Sequence, residues 1–315
     1  KLSLVGIATM TQSIGLNNMK VLFYTDVTWS LGNIHNNLVK EFCKRGIYSN
    51  MLNWDFDYSV REFDYLNKIY DVFVTLPGPC VNLLISKGIP ANKIICVAHS
   101  RFDVKHGVDS NIPWASLRNV VAISPDLVKT HKILGVDVNV ELVQNGIDFE
   151  LFHREPATEL TRLGYFGSDF APDVLAGTGD CKRKHLAESI STITGLPLIG
   201  TGSKLVNLCM PTLYETIDSL IMPSSSPEAC GLPYMEAAAA GRLPISSSVG
   251  IIDHLGKPAG LVLRMDEESF VEQAVFQINE LVASPKRFRS LCVEAQDFAR
   301  HYYDWSAVIG RWIVV

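Results

Sequence analysis

Short apolar runs alternate with longer segments whose apolar residues recur at helical spacing, and that alternation is the strongest constraint the sequence imposes. It begins at Lys20–Thr25 (KVLFYT), a first strand. Gly32 follows in what reads as a loop, and Ile34, Leu38, Val39 and Phe42 then fall on one face of a helix that Gly46 ends. Further strands fit 71–76 (DVFVTL), Ile94–Ala98, 120–123 (VVAI) and 140–143. Ser124-Pro125-Asp126 has the form of a helix start, with Ser as N-cap and Pro in the first turn. The pattern restarts after residue 155, with strands at 163–166, 196–199, Ser219–Met222, 243–246 and Leu261–Leu263. Helices fit Lys184–Thr194, 232–240, Glu267–Val282 and Pro285–Tyr302. Strands that alternate with helices form parallel sheets covered on both faces. The polar stretch 153–161 (HREPATELT) separates the two runs as a linker. The expected fold is therefore α/β, with two Rossmann-like, doubly wound domains facing a cleft. Ligands of such folds bind at the carboxyl ends of the strands.

The bulk numbers agree with that plan. A chain of 315 residues is long enough for about two domains. It is 47% hydrophobic, enough to build real cores, and no apolar run reaches the roughly 20 residues that span a bilayer. A formal charge of −5 argues against a broadly basic nucleic-acid-binding face. Lys40, Lys44 and Arg45 on the first helix read as a solvated basic face. The seven cysteines are widely spaced, without a CxxC pair, as expected of reduced core residues in a cytoplasmic protein. Peripheral membrane association stays open. Residues 1–18 read either as a native extension or as a remnant ahead of a start at Met19. They make a poor secretion signal, because only Lys1 supplies positive charge.

The most informative segment is 223–241, PSSSPEACGLPYMEAAAAG, which leaves a strand and enters a helix. Pro233 suits the first turn, where its missing N–H is no loss. The N–H groups of Gly231 and Leu232, next to Cys230, form a potential anion site, and glycine lets a phosphate approach the backbone. Glu228 and Glu236 flank that site. A carboxylate repels a diphosphate but accepts hydrogen bonds from hydroxyl pairs, so the arrangement suits a diphosphate with a sugar on one side and a ribose on the other. The alanines of 237–240 let the helix lie close to the sheet.

This segment resembles the GT-B glycosyltransferases, particularly the retaining family-four group. Their two glutamates stand at the spacing of Glu228 and Glu236. Gln144-Asn145-Gly146-Ile147-Asp148 resembles the segment that ends the family's first domain, and 163–168 (LGYFGS) resembles the first strand and glycine loop of its second. The resemblance covers about 19–315. It implies domains at 19–155 (acceptor) and 156–300 (nucleotide-sugar donor), with 301–315 as a helix returning to the first domain.

The resemblance also implies roles. Gly167 and Ser168 face the donor phosphates. A cation from Lys182, Arg183 and Lys184 neutralises the departing diphosphate, with Arg183 favoured and Lys184 next. Glu228 takes sugar hydroxyls and Glu236 ribose hydroxyls. His99, after the strand of 95–98, lies beside the reacting sugar. Gly32 stands where relatives often carry two glycines. The implied reaction is retaining transfer from a UDP- or GDP-sugar to a glycan, lipid, protein, small molecule or modified nucleic-acid base, requiring no cofactor and no metal. The alternatives are a sugar-nucleotide epimerase on the same fold and an inactive nucleotide-sugar-binding module. The aromatic residues of 301–312 read as packing anchors.

Overall fold

The computed structural model describes residues 19–27, 30–167, 180–200, 209–225, 228–252 and 258–315. Residues 1–18, Ser168 and most of the 167–182 loop lie outside them.

The first unit contains β1 (Lys20–Thr25), α1 (Ser30–Lys44), β2 (Tyr48–Asn53), α2 (Val60–Ile69), β3 (Val72–Thr75) and α3 (Pro79–Ser86). It continues with β4 (Ile94–Ala98), α4 (Arg101–Asp109), β5 (Asn119–Ala122), α5 (Pro125–Ile133), β6 (Val140–Leu142) and the short α6 (Phe149–Phe152). The second contains β7 (Leu163–Tyr165), α7 (Lys184–Thr194), β8 (Leu198–Gly200), α8 (Met210–Tyr214) and β9 (Ser219–Met222). After it come α9 (Leu232–Ala239), β10 (Leu243–Ser247), β11 (Leu261–Leu263), α10 (Glu267–Val282), α11 (Pro285–Tyr302) and α12 (Trp305–Val314).

Every strand pair is parallel. The sheets run β2-β1-β3-β4-β5-β6 and β11-β10-β9-β7-β8. Numbered from its own first strand, each sheet begins 2-1-3-4-5, so both are wound alike. In each, the winding reverses between the first and third strands, β1/β3 and β7/β9, and the crevice for a ligand opens at such a reversal.

Local chemistry fixes several elements. Ser124 Oγ caps α5 by accepting from Leu127 N–H, with Pro125 in the first turn. Ser100 and Asp103 form a capping box at the start of α4, directly after β4. One residue departs from the sequence reading. Gly32 lies in the first turn of α1, not in a loop, because the helix begins at Ser30. A Cβ there would stand 2.8 Å from the Val27 carbonyl carbon, so glycine lets the helix pack on the loop before it. Lys44 at the end of that helix and Arg45 just beyond it both pair with Glu41, at 2.6 Å each.

Two of the three apolar clusters cover the outer face of one sheet each. The third runs from one unit to the other, through Val97 and Val121 to Ile147, Phe149, Phe152 and Trp305, and on to Tyr214, Met222 and Tyr234. The linker is tied down as well. Ala157 N–H donates to Gly241 O at 3.0 Å, and Arg242 Nη1 to Glu155 O at 2.8 Å. Beyond α11 the chain recrosses. Ile147 N–H donates to Tyr303 O (2.8 Å), Trp305 N–H to Ile147 O (3.0 Å) and Trp312 Nε1 to Gln144 O (2.9 Å). Gly146 lies beneath the Trp305 ring, where a Cβ would come within 2.8 Å.

Candidate active site

The site grows from the β7/β9 reversal. A small cavity there is lined by Tyr165, Phe166 and Gly167 at the end of β7, by Met222 and Ser224 at the end of β9, and by Lys182, Glu228 and Pro233. Gly167 sits under Tyr165, whose Oη would be 2.6 Å from any added Cβ.

Gly231 is the N-cap of α9, with φ at +70°, a left-handed conformation that glycine adopts without strain. The helix that follows buries Tyr234, Met235 and Ala237–Ala239, so its small side chains let it lie against β9 and β10.

Glu228 reaches back into this turn. Its Oε1 accepts from Gly231 N–H at 3.2 Å, and its Oε2 pairs with Lys182 Nζ and lies 3.5 Å from Ser224 Oγ. Burial works against the Glu228 charge, but the Lys182 ammonium and the N–H groups of Gly231 and Cys230 hold its carboxyl below the usual range. Burial also works against the Lys182 ammonium, and there the Glu228 carboxylate prevails and raises its pKa.

The three basic neighbours part company. Asp180 accepts from the N–H groups of Lys182 (3.0 Å) and Arg183 (3.1 Å), and Arg183 turns with φ at +49°. Arg183 is buried. Its guanidinium donates to three backbone carbonyls: Pro223 (2.5 Å), Met265 (2.7 Å) and Ser224 (3.1 Å). It ties the loop after β9 to the loop before α10, and Lys182 rather than Arg183 faces Glu228. Lys184 lies one residue further on, 3.8 Å from Glu188 on α7.

Glu236, one turn inside α9, has different company. Burial raises its pKa from 4.5 to about 7, against the opposing hydrogen bond that Tyr214 Oη donates at 2.8 Å. Tyr214 is fully buried on α8, edge-on to Phe166 at 5.0 Å. Sequence reasoning missed it, since α8 is five residues long and carries no motif.

The first unit brings His99 to this place. His99 follows β4, and Asp103 accepts from its backbone N–H at 2.8 Å. Burial lowers the imidazole pKa to about 3, so the ring is neutral at any ordinary pH. Asn145 Nδ2 lies 3.3 Å from His99 Nδ1 and 4.0 Å from Cys230 Sγ, bridging the two units. His35 of α1 stands edge-on to His99 at 5.7 Å and is held by Thr25 Oγ1 at 2.8 Å. Cys230 is buried, which raises its thiol pKa, as do the Glu228 and Glu236 charges. Asn145 entered the sequence reading only as part of a domain-ending turn, and His35 did not enter it.

The structure thus gathers Gly167, Lys182, Glu228, Cys230, Gly231 and Glu236 from the second unit and His99 from the first. Gly32 stays with its own loop, and Arg183 is engaged with carbonyls. Among the described residues no group of three His, Cys, Asp or Glu side chains could hold a metal ion, and no helix is long and apolar enough to cross a membrane. The described cysteines are all free thiols.

Two similarly wound parallel sheets facing a shared crevice define the GT-B fold, and the chain has it. Solved structures of glycosyltransferases match nearly its whole length. Anabaena HepE in complex with UDP-glucose superposes with a TM-score of 0.66 at 13% identity, over 94% of this chain and 98% of that one. The catalytic domain of starch synthase IV from Arabidopsis thaliana, bound to ADP and acarbose, gives 0.64 at 13% identity over 94% and 98%. An α-glucosyltransferase in complex with UDP and a 13-mer DNA containing a central A:G mismatch gives 0.63 at 12% identity over 94% and 100%. At such identities the likeness is one of fold. No family model matches the sequence, and no curated protein does.

Proposed function

We propose that this chain is a retaining glycosyltransferase that moves a sugar from a UDP- or GDP-sugar to an acceptor held by the first unit. The observation that carries the reading is the pairing of Lys182 with Glu228 in the cavity at the β7/β9 reversal, with Glu228 also bound to the Gly231 N-cap, Glu236 joined through Tyr214 to Phe166 of that cavity, and His99 linked through Asn145 to Cys230. The unit of 156–300 would hold the donor, and 19–155 the acceptor.

On this reading the diphosphate lies against the N–H groups that open α9, and Lys182 is the cation that offsets its growing charge as the glycosidic bond breaks. Arg183 then acts by shaping the loop, which revises the preference drawn from sequence. Glu236 accepts from the ribose hydroxyls and Glu228 from those of the sugar. With both carboxylates so engaged, neither serves as a glycosidase-type nucleophile. The leaving phosphate takes the acceptor proton on the face from which it departs. Neutral His99 orients a sugar hydroxyl by hydrogen bonding. Closure of the crevice excludes water.

The test is a thermal-shift panel with UDP, GDP, ADP and their common sugar conjugates, on the wild type and Glu236→Ala. A ligand at 100 times its Kd stabilises by about 2.7 kcal/mol. One nucleotide class shifting the wild type and not the variant is the expected result, and no shift from any of them refutes the donor site. Product analysis with donor alone separates a transferase from an epimerase.

A further inference from the structure

Glu228 occupies both positions that a diphosphate needs. One oxygen takes the N–H of Gly231 at the mouth of α9, and the other takes the Lys182 ammonium. Lys182 and Glu228 itself line the cavity at the β7/β9 reversal together with Ser224, whose Oγ lies 3.5 Å from Oε2, and Gly231 opens the helix whose Pro233 lines it as well. A carboxylate so placed satisfies, from within the chain, the donors that would otherwise attract a phosphate. We propose that Glu228 is the specificity-determining residue that makes this site discriminate a nucleotide sugar from the free nucleoside diphosphate, by competing as an internal anion for the diphosphate's own contacts. The inference rests on the donor-site reading above.

The logic is an exchange. An arriving diphosphate displaces the carboxylate from Lys182 and Gly231. The displaced anion then lies beside another anion, an unfavourable place in a largely buried site. A donor that carries its sugar supplies hydroxyl groups, which donate to the displaced carboxylate and compensate it. A free nucleoside diphosphate has no such hydroxyls next to its terminal phosphate, so the carboxylate retakes its partners and the nucleotide is expelled. The site therefore favours substrate over product without any contact that distinguishes their nucleotide halves. Lys182 is shared between two anions in turn, and its side chain is one-quarter exposed, within reach of both the cavity and solvent.

The experiment is calorimetric titration of the full chain with UDP, GDP, ADP, UDP-glucose, GDP-mannose, ADP-glucose and inorganic pyrophosphate, on the wild type and Glu228→Gln. Glutamine keeps the shape and removes the competing charge. The expected result is a tenfold or greater tightening for the free diphosphate and pyrophosphate, with no tightening for the sugar conjugate, so that discrimination falls at least tenfold. Lys182→Met should weaken diphosphate binding more in the Glu228→Gln background than in the wild type, because only there is the ammonium uncommitted. Should Glu228→Gln not fold, Glu228→Asp withdraws the carboxylate by one carbon and should tighten the free diphosphate about threefold. Unchanged or weakened diphosphate and pyrophosphate affinity in a folded variant overturns the inference. If no nucleotide binds the wild type or either Glu228 variant, the donor-site reading falls instead. The pyrophosphate titrations still decide whether Glu228 guards an anion site.

Discussion

Replacing Glu236 by glutamine should make the protein more stable and a poorer nucleotide binder at once, with a pH dependence that identifies the cause. Burial raises the Glu236 carboxyl from 4.5 to about 7, while the unfolded chain titrates near the ordinary value. Below pH 4.5 both states hold the proton and the group costs nothing. As pH rises the unfolded chain ionises first, and stability is lost until the folded carboxyl ionises near 7. At about 1.4 kcal/mol per pH unit over that interval, the loss is about 1 kcal/mol at pH 5 and about 3 kcal/mol at pH 8. The glutamine of Glu236→Gln has no charge to desolvate and can still accept from Tyr214 Oη. With an unfolding entropy of about 2.1 cal/mol/K per residue, a chain of this length that unfolds as one unit should gain about 4 °C in Tm at pH 8. Scanning fluorimetry of both proteins from pH 5 to pH 8 measures it. Nucleotide affinity should fall at least tenfold in the variant, and in the wild type it should rise as pH passes 7, because ribose hydroxyls need the ionised acceptor. A Tm difference that stays constant across that pH range would refute the claim that a buried carboxyl is responsible.

Tyr214→Phe removes the hydrogen bond that favours the Glu236 carboxylate, so the pH at which nucleotide affinity develops should move upward, as titration calorimetry at several pH values would show. His99→Asn should lower kcat by about ten- to a hundredfold, with little change in the pH–rate profile above pH 5, because the ring is already neutral there. An acidic limb lost from the profile near pH 6 would contradict this. Arg183→Ala should cost about 3 kcal/mol by leaving three carbonyls without their donor, and Arg183→Lys should recover little, since an ammonium cannot reproduce the fork; chemical denaturation measures both. Gly146→Ala, whose Cβ would stand 2.8 Å from the Trp305 ring, should cost about 2 kcal/mol by the same measurement.

The sequence was most readable where one physical signal dominated. Lys184–Thr194, Glu267–Val282 and Pro285–Tyr302 are helices with the expected ends, because apolar periodicity and terminal Gly or Pro agree there. β2 went unseen, since YSNMLN is half polar and owes its state to pairing with β1 along its whole length. Gly32 was misplaced because α1 begins at Ser30, ahead of its apolar stripe, and a glycine that looks like a loop residue is there the one that fits against the backbone of Asp26 and Val27. The strand–turn–helix around Glu228 and Glu236 was legible from local residue types, with Gly231 at the N-cap and Pro233 in the first turn. Which cation faces Glu228 depended on a left-handed turn at Arg183 that residue types do not encode, since an arginine rarely adopts it. Tyr214 and Asn145 act through partners 22 and 46 or more positions away in the chain, a distance at which pattern reading has no purchase.

The chain crosses between its two halves twice, and the crossings lie side by side, laced by the hydrogen bonds of Ile147 with Tyr303 and Trp305. A single tether would act as a swivel, free to turn in every direction. Two that are stitched together act as the leaf of a door: they bend readily about one axis and resist twisting about the others. Gln144 and Asn145 stand at the pin of that door, one gripped by Trp312 and Tyr302, the other reaching toward His99 and Cys230 across the opening. Any movement of one half against the other is thereby confined to the axis of that pin, and the register between the halves is kept.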